Sequence, residues 1–225
     1  MITEKRHQRT AALIIFSALY CVNTLWLPTY SRARTDEQQS QVVKFRSERE
    51  KEFRDPKESP LEADEVTRFK GLSYFKIHPA YRVSARFTRT PDERKFGMPT
   101  SAGKTKVYVK YGELKFVLAG LEHTLGVYQS EALSQTEKYK NYLLIPFKDL
   151  TTGKETYGGG RYIDFEIPTS EQVTLDFNLA YNPSCAYSPR FNCPIPPREN
   201  RLNVKIKAGE KTYRKPSRNN AAPTS

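Results

Sequence analysis

Histidine, cysteine, tryptophan and methionine are scarce in this chain, which has 225 residues but only 3 His, 3 Cys, 1 Trp and 2 Met. Beyond the N-terminal region, the histidines are His78 and His123. The cysteines there are Cys185 and Cys193. A structural zinc site usually takes four such ligands, so this supply does not favour a metal site. The chain also lacks a G-x-S-x-G nucleophile motif and a G-x-G-x-x-G dinucleotide fingerprint, and we predict no cofactor.

Length and composition limit the architecture. A chain of 225 residues is long enough for one well-formed core and too short for two ordinary domains plus a targeting segment. Charged residues make up 28% of the sequence, which argues against a protein that spans the membrane several times. We therefore expect one domain with its own core.

The positive charge is concentrated near the C-terminus. The formal net charge is +12, and from Arg201 onward 7 basic residues face one acid, Glu210. No RNA-recognition aromatic signature, zinc-finger spacing or basic heptad helix accompanies this charge, so the sequence does not favour nucleic acid as a partner. A basic tail near an anionic lipid surface explains the surplus more simply.

The N-terminus has the order of an export segment. Three basic residues within the first nine positions precede the mostly apolar run Ala11–Leu27. This run is at the short limit for a bilayer span, so residues 1–33 are predicted as either a signal peptide cleaved near Ala33 or a retained signal anchor. We expect an exported protein of the periplasm, cell envelope or extracellular space, with the membrane as a partner if the segment is uncleaved.

An amphipathic helix is predicted over Thr35–Phe53. The stretch is rich in helix formers, Val42 and Phe53 fall close to one helical face, and Pro56 follows as a stop signal. Residues 34–58 are therefore predicted as a helix and linker.

After the linker, the hydrophobic period changes from helical to two. Apolar residues alternate with polar ones across Tyr81–Phe87, which predicts a half-buried strand. Val107–Tyr111 and Leu114–Leu118 repeat the pattern on either side of Gly112-Glu113, which predicts a hairpin. The later candidate strands are Leu125–Tyr128, Tyr142–Phe147, Arg161–Ile167, Val173–Asn178 and Leu202–Lys207.

These short strands define the predicted fold class. About eight to ten of them, separated by Gly, Pro and Asn turns, indicate an all-β domain that is an antiparallel sandwich or a partly closed barrel. We place this domain at residues 59–213. The composition of residues 214–225 predicts a disordered basic tail.

Several long strings resemble a known family. They are SPLEADEVTRFKGLSYFKIHPAYRVSARF, FKDLTTGKETYGGGRYIDF, LDFNLAYNPSCAYSPRFNCPIPPREN and KIKAGEK. Together they resemble the family of bacterial and archaeal proteins called domain of unknown function 1684, over roughly Val42 to Lys211. The resemblance implies signature positions without roles, namely Asp149, Thr151, Gly153, Tyr157, Gly159, Gly160, Arg161, Tyr162, Asp176, Asn178, Tyr181, Asn182, Pro183, Cys185, Cys193, Pro194, Pro197, Glu199 and Asn200.

The resemblance assigns no role to Arg161, but the two-residue period of a β-strand indicates its surroundings. On a strand, Arg161 shares a face with Ile163 and Phe165, which directs its guanidinium toward the apolar side of the sheet. An unpaired buried charge costs several kcal/mol, so a carboxylate is expected nearby. Asp176 and Asp149 are the candidates.

We therefore predict one polar cluster of Arg161, Asp176, Asn178 and Tyr181 beside the glycine run 158–160. Its structural interpretation is a buried ion pair that fixes strand register. Its functional interpretation is an anion or sugar site, in which the glycines allow close backbone approach and tyrosines supply apolar walls. The candidate ligand-binding residues are Asp149, Tyr157, Gly159, Gly160, Arg161, Tyr162, Asp176, Asn178, Tyr181 and Asn182.

The cysteine spacing and the carboxylates complete the predictions. Cys185 and Cys193 are spaced C-x7-C, which allows a disulfide that closes the loop between them. The favoured function is a noncatalytic envelope domain that binds a small polar or anionic ligand, or a protein partner, through the Arg161 region. The alternative is a hydrolase-type enzyme that uses the nearby carboxylates Asp149 and Asp176.

Overall fold

The computed structural model of the chain describes residues 27–215, and the predicted export run before Leu27 and the tail from 216 lie outside the described residues. The chain divides into two compact units, residues 1–38 and 39–225. In the first unit, the described residues form the beginning of a helix. Within residues 27–215, no helix combines the length and the apolar character needed to cross a membrane.

Helix α1 spans Leu27–Arg54 and contains the predicted helix. From residue 39 onward it belongs to the larger unit, where Val42 is 1% exposed and Phe53 is fully buried. The helix ends two residues before Pro56, which cannot donate a backbone hydrogen bond to a continuing helix. An exposed ion pair between Arg54 and Glu50, at 3.2 Å, supports its last turn.

The larger unit is built on one seven-stranded, mostly antiparallel sheet that curls into a half-barrel. The strands are β1 (Arg82–Arg89), β2 (Phe96–Pro99), β3 (Thr105–Leu118), β4 (Leu121–Ser130), β5 (Tyr142–Phe147), β6 (Arg161–Glu166) and β7 (Gln172–Asp176). Their order is β6-β5-β4-β3-β1-β7, and β2 pairs with β3 beside this path. The all-β fold class predicted from the sequence is confirmed, in its partly closed form.

Helices contribute only short segments to the rest of this unit. Two are α-helical, α2 (Ala63–Val66) and α3 (Glu131–Ser134). Five are 3-10 turns, Pro79–Tyr81, Glu137–Tyr139, Phe177–Leu179, Ser184–Ala186 and Arg198–Asn200.

The predicted hairpin turn at Gly112-Glu113 is wrong. β3 continues through these residues, with only a register irregularity against β4 between Lys110 and Gly112. The chain turns instead at Ala119-Gly120, where both residues have positive φ angles of 53° and 77°. Positive φ at both central residues is the geometry that fits the twist of a two-residue hairpin, and an Ala in that position conceals it from a sequence pattern.

The number of strands is also smaller than predicted. Among the described residues, Leu202–Lys207 forms no strand but an irregular segment, in which Leu202 and Ile206 are buried. Apolar and polar residues alternate here because every second side chain is turned inward, although the segment forms no β-ladder with a neighbouring strand. The main-chain groups of this segment instead bond to the loops that follow β5, as with the Leu202 N–H to the Lys148 carbonyl at 2.8 Å.

The sheet carries an apolar cluster on each face, although the outward-facing residues of β1 and of the second half of β3 are exposed. One face carries the main apolar core, which includes Leu114, Leu125, Ile145 and Phe147. The other face carries a tyrosine-rich cluster of Met98, Tyr108, Tyr128, Leu144 and Tyr162. A third cluster, of Phe53, Leu61, Phe69 and Tyr187, packs the end of α1 against the domain.

Candidate functional site

Arg161, the first residue of β6, is one of the largest fully buried side chains of the domain, at 1% exposure. Its Nη2 lies 3.6 Å from Asp149 Oδ2 and donates to the Ile206 carbonyl at 3.0 Å. Its Nη1 donates to the carbonyls of Ala208 and, at 3.4 Å, Glu210. Burial lowers the pKa of Arg161 to about 10 although the Asp149 charge opposes this. The guanidinium stays protonated at neutral pH and joins β6 to the C-terminal segment.

Asp149, directly after β5, is the carboxylate partner, and its side chain is 1% exposed. It accepts hydrogen bonds from the Thr151 hydroxyl at 2.8 Å, the Thr152 hydroxyl at 3.1 Å and the Ile206 N–H at 2.6 Å. These donors satisfy a charge that would be costly to bury alone. The prediction that Arg161 is buried beside a carboxylate is confirmed, and the buried network leaves its guanidinium no open face.

Asp176, the other predicted partner of Arg161, binds elsewhere. Its Oδ2 accepts from Arg82 Nη1 at 3.2 Å, because Arg82 is its cross-strand neighbour in the β1–β7 ladder. Its Oδ1 accepts from the backbone N–H and the side-chain amide of Asn178, at 2.9 and 2.8 Å. Asn178 in turn bonds both backbone polar groups of His78 at 3.0 Å. This pairing holds the chain before β1 against the end of β7.

Tyr181 belongs to a third group. Its hydroxyl donates to Asp164 Oδ1 at 2.5 Å, and the Tyr142 hydroxyl donates to the same oxygen at 2.7 Å. The prediction that Arg161, Asp176, Asn178 and Tyr181 form one cluster is therefore wrong. The carboxylates Asp149, Asp164 and Asp176 instead take their donors from three separate sets of residues.

Asn182 lies beside a buried acid that sequence reasoning missed. Glu210 is fully buried and accepts from the Asn182 N–H at 3.1 Å, from its side-chain amide at 3.0 Å and from the Tyr187 hydroxyl. Arg49 of α1 lies 3.8 Å from the same carboxylate. Burial raises the pKa of Glu210, opposed by the Arg49 charge. The available signal was its place in the KIKAGEK string, in which the surrounding lysines suggested only a solvated surface.

The space around Gly159 and Gly160 is occupied by the protein itself, whereas Gly158 is exposed. A Cβ on Gly160, whose φ is +96°, would lie 2.7 Å from the Phe147 carbonyl oxygen, and one on Gly159 would lie 2.2 Å from the Tyr157 ring. The Tyr157 hydroxyl donates to the Cys185 carbonyl at 3.4 Å, and that of Tyr162 donates to the Pro194 carbonyl. These glycines and tyrosines thus pack the loop after β5 against the 185–194 loop.

The predicted disulfide is not formed, because Cys185 and Cys193 are both free, half-buried thiols. The Cys193 sulfur accepts the Cys185 backbone N–H at 3.2 Å instead of bonding to the other sulfur. The side-chain hydrogen bond from Cys193 lowers the pKa of the Cys185 thiol to about 6. Among residues 27–215, no group of His, Cys, Asp or Glu side chains is arranged to hold a metal ion.

An open cleft lies directly beside the buried network. It has a volume of about 420 Å³, and we call it the Lys148–Arg201 cleft because these two cations form part of its wall. The remaining lining residues are Asp149, Leu150, Thr152, Leu202 and Asn203. Since the Asp149 side chain is turned inward, that residue presents mainly its backbone to the cleft.

The backbones of Lys148 and Arg201 are fixed relative to each other. They form an isolated parallel bridge, in which the Lys148 N–H donates to the Asn200 carbonyl at 3.0 Å and the Leu202 N–H to the Lys148 carbonyl at 2.8 Å. The Asn200 side chain, fully buried, donates to the carbonyls of Gly126 and Pro146 at 2.8 and 2.7 Å and holds this bridge on the sheet. Burial and the Arg201 charge together lower the pKa of Lys148.

Sequence reasoning missed both cations of this cleft. Arg201 was counted only within the basic C-terminal surplus, and Lys148 stood unremarked beside Asp149. Lys148 follows β5 and Arg201 follows a 3-10 turn, and the bridge between them joins positions more than fifty residues apart.

Comparison with known proteins gives a family match that lies within the larger unit. The model of the family described as "Protein of unknown function (DUF1684)" matches residues 67–211. The chain is similar to the solution NMR structure of an uncharacterized protein from gene locus rrnAC0354 of Haloarcula marismortui, with 36% identity and a TM-score of 0.62. That similarity covers 80% of this chain and 97% of the other. No curated protein matches the sequence.

Proposed function

Because the chain belongs to the family DUF1684, whose description states no activity, we propose from the geometry of its surface that the domain binds a small organic anion without transforming it. The observation that carries this proposal is the Lys148–Arg201 cleft, where a main-chain bridge holds the backbones of two cationic residues side by side and burial, together with the Arg201 charge, lowers the pKa of Lys148. Like charges held together in this way are relieved when an anion lies between them.

The neighbouring acid does not neutralise these cations. The Asp149 carboxylate is directed into the interior, where it accepts hydrogen bonds from Thr151, Thr152 and Ile206. Lys148 Nζ donates to the Gly158 carbonyl at 3.1 Å, a neutral acceptor. Within the described residues, Lys148 and Arg201 form no ion pair, so a ligand carboxylate supplies the charge that the chain does not.

The apolar part of the cleft indicates the class of anion. Leu150 is 44% exposed, one of the few large hydrophobic side chains open to solvent, and the buried Leu202 also lines the cleft. A cleft of about 420 Å³ is within the size range of small-molecule sites, which join apolar walls to a few charged groups. A monocarboxylate with a short apolar body fits this combination.

A hydrolase that uses the carboxylates near Arg161 is less well supported. Such an enzyme would need Asp149 and Asp176 to converge on an open pocket, whereas Asp149 is buried against Arg161 and Asp176 pairs with Arg82. The role of Arg161 that these contacts favour is to hold β6 against the C-terminal segment. We therefore place the proposed ligand site in the neighbouring Lys148–Arg201 cleft and not at Arg161.

Export is the second part of the proposal. Its support is the order of basic and apolar residues before Leu27 in the sequence. We expect the mature chain in the cell envelope or outside the cell, either cleaved near Ala33 or held at the membrane. Cell fractionation with N-terminal sequencing of the recovered protein tests this, and recovery of the intact chain from the cytoplasm alone would refute it.

The test of the ligand proposal uses benzoate as a probe with the full chain at low ionic strength. Titration followed by NMR is expected to give saturable shifts at the backbone amides of Leu150, Leu202 and Asn203, and added salt weakens binding because it screens the cations. Lys148→Gln or Arg201→Gln is expected to weaken binding at least tenfold. Lys104→Gln removes the same charge at an exposed position outside the cleft and serves as the matched control.

Two results would overturn the ligand proposal. One is the absence of saturable binding by the wild-type chain. The other is an equal loss of binding in the Lys104→Gln control, which would mean that only the general positive field of the domain attracts benzoate. Turnover of an anionic ester that Asp149→Asn abolishes in a still folded chain would instead support the hydrolase.

A further inference from the structure

The structure contains a second basic cavity, with a volume of about 480 Å³. Its wall is formed by three chain segments that carry Ser73, Tyr74, Lys154, Lys211, Thr212 and Arg214. We call it the Ser73–Arg214 cavity, and it shares no lining residue with the Lys148–Arg201 cleft. We propose that the Ser73–Arg214 cavity is a binding site for a phosphate monoester.

Charge is the first reason for this proposal. Lys154, Lys211 and Arg214 line the cavity, and within the described residues none of them takes part in an ion pair. One acid, Glu155, is also in the wall, but Lys207 Nζ lies 3.3 Å from it and balances its charge from outside the cavity. Three cations therefore remain for a ligand.

The wall is fixed by main-chain hydrogen bonds. The Lys211 N–H donates to the Ser73 carbonyl at 2.8 Å, and the Thr212 N–H donates to the Glu155 carbonyl at 3.1 Å. Tyr74 forms an isolated bridge with the buried Glu210, and Arg49 of α1 lies beside the carboxylate of the same residue. Because the backbone is already ordered, a ligand does not have to supply the free energy of bringing these segments together.

Tyr74 and Lys211 are held in place by their side chains as well. The Tyr74 ring lies under the Arg46 guanidinium at 4.4 Å, and Lys211 Nζ lies 4.8 Å from the centre of the Phe75 ring. In a cation–π contact the ring attracts the cation through its π face and forms no charge-assisted hydrogen bond with it. The N–H donors of the cation therefore stay available for a phosphate.

The donor set distinguishes this cavity from the Lys148–Arg201 cleft. Here three cations from two segments are joined by the hydroxyl groups of Ser73 and Thr212, and no leucine lines the wall. A phosphate monoester carries close to two negative charges at pH 7 and three terminal oxygens that accept such donors. The space left beside a phosphate in a cavity of about 480 Å³ suits a small polar alcohol as the rest of the ester.

Isothermal titration of the full chain with inorganic phosphate and with glycerol 3-phosphate tests this proposal. The ester is expected to bind more tightly than inorganic phosphate, and Lys154→Gln or Lys211→Gln is expected to weaken both at least tenfold. Glu155→Gln is expected to tighten binding about threefold, because it removes the one acid of the wall. This gain cannot arise from a chain that fails to fold.

The matched controls are Lys148→Gln, in the other cleft, and Lys104→Gln, at an exposed turn. Both remove one positive charge and are expected to leave phosphate binding within twofold of the wild type. Equal weakening by Lys104→Gln, or no saturable binding of either phosphate, would overturn the proposal. Loss on Lys148→Gln alone would refute this cavity as the site while leaving the proposed function of the other cleft intact.

Discussion

Lys148 and Asp149 are neighbours in the chain, but they belong to two very different regions of the molecule. Asp149 lies in a closed network in which every strong acceptor has a donor, whereas Lys148 lies at the wall of an open cleft beside a second cation. The first region includes most of the family's signature residues around β6. The second is formed by residues that the sequence leaves inconspicuous.

This difference shows that a distinctive pattern of polar residues can serve the stability of the fold and need not indicate a binding site. Burying the Arg161–Asp149 pair requires several donors and acceptors in fixed places. The hydroxyl donors restrict positions 151 and 152, whereas the carbonyls that accept from Arg161 are backbone groups placed by the fold. A charge on the wall of an open cleft keeps its solvation and needs few partners. Changes in the closed network are therefore expected to affect stability, and changes in the cleft to affect binding.

The largest effect is expected from Arg161→Met. It leaves the Asp149 carboxylate buried without its cation, and loss of one partner of a buried pair typically costs about 3–5 kcal/mol. The lost stability is measured as the free energy of unfolding in urea. Arg82→Met breaks the more open pair with Asp176, in which Arg82 is 23% exposed, and serves as the comparison. A loss for Arg161→Met no larger than that for Arg82→Met would contradict the assignment of Arg161 to the closed network.

An intermediate effect is expected from Glu210 as the pH changes. Since burial raises the pKa of Glu210 in the folded chain, the folded state retains a proton that the unfolded state has already lost. Its contribution to the free energy of unfolding is therefore present below the ordinary carboxyl pKa and is lost as the pH rises toward the folded pKa, by up to about 1.4 kcal/mol per pH unit.

Glu210→Gln isolates this effect because glutamine keeps the shape without the titration. The difference in unfolding free energy between wild type and variant is expected to shift in favour of the variant as the pH rises from 4 toward neutrality, a range chosen around the ordinary carboxyl pKa of about 4.3. Urea unfolding at several pH values measures it. A difference that stays constant with pH, or one that shifts in favour of the wild type, would contradict the raised pKa.

The smallest effect on stability is expected from Lys148→Gln. Removing one of two adjacent cations relieves their repulsion and disturbs only one hydrogen bond, to the Gly158 carbonyl. The free energy of unfolding, measured in urea, is expected to change no more than for ordinary surface substitutions, about 0.5 kcal/mol either way. A loss of several kcal/mol would place Lys148 with the closed network and remove the distinction between the two regions.

Much of the fold could be predicted from the sequence, and the reasons are local. Alternation of apolar and polar residues marked β1, the candidate strands Tyr142–Phe147 and Arg161–Ile167 match β5 and β6, and the two-residue period placed Arg161 on a buried face. The hairpin turn could not be placed, because Gly112 lies within a strand while the turn uses Ala119. The segment Leu202–Lys207 alternates without pairing, since burial alone produces the same period as a strand.

The sequence by itself determined the all-β class, the helix before it and the need of Arg161 for a carboxylate, because strand period, helix signals and the cost of a buried charge act over short distances. Only the tertiary structure decided that Asp149 meets this need, that Asp176 joins Arg82 and that Lys148 lies beside Arg201. These pairings depend on strand order and on long-range main-chain bonds. The local sequence around a residue does not specify which distant residue will become its neighbour in the folded sheet.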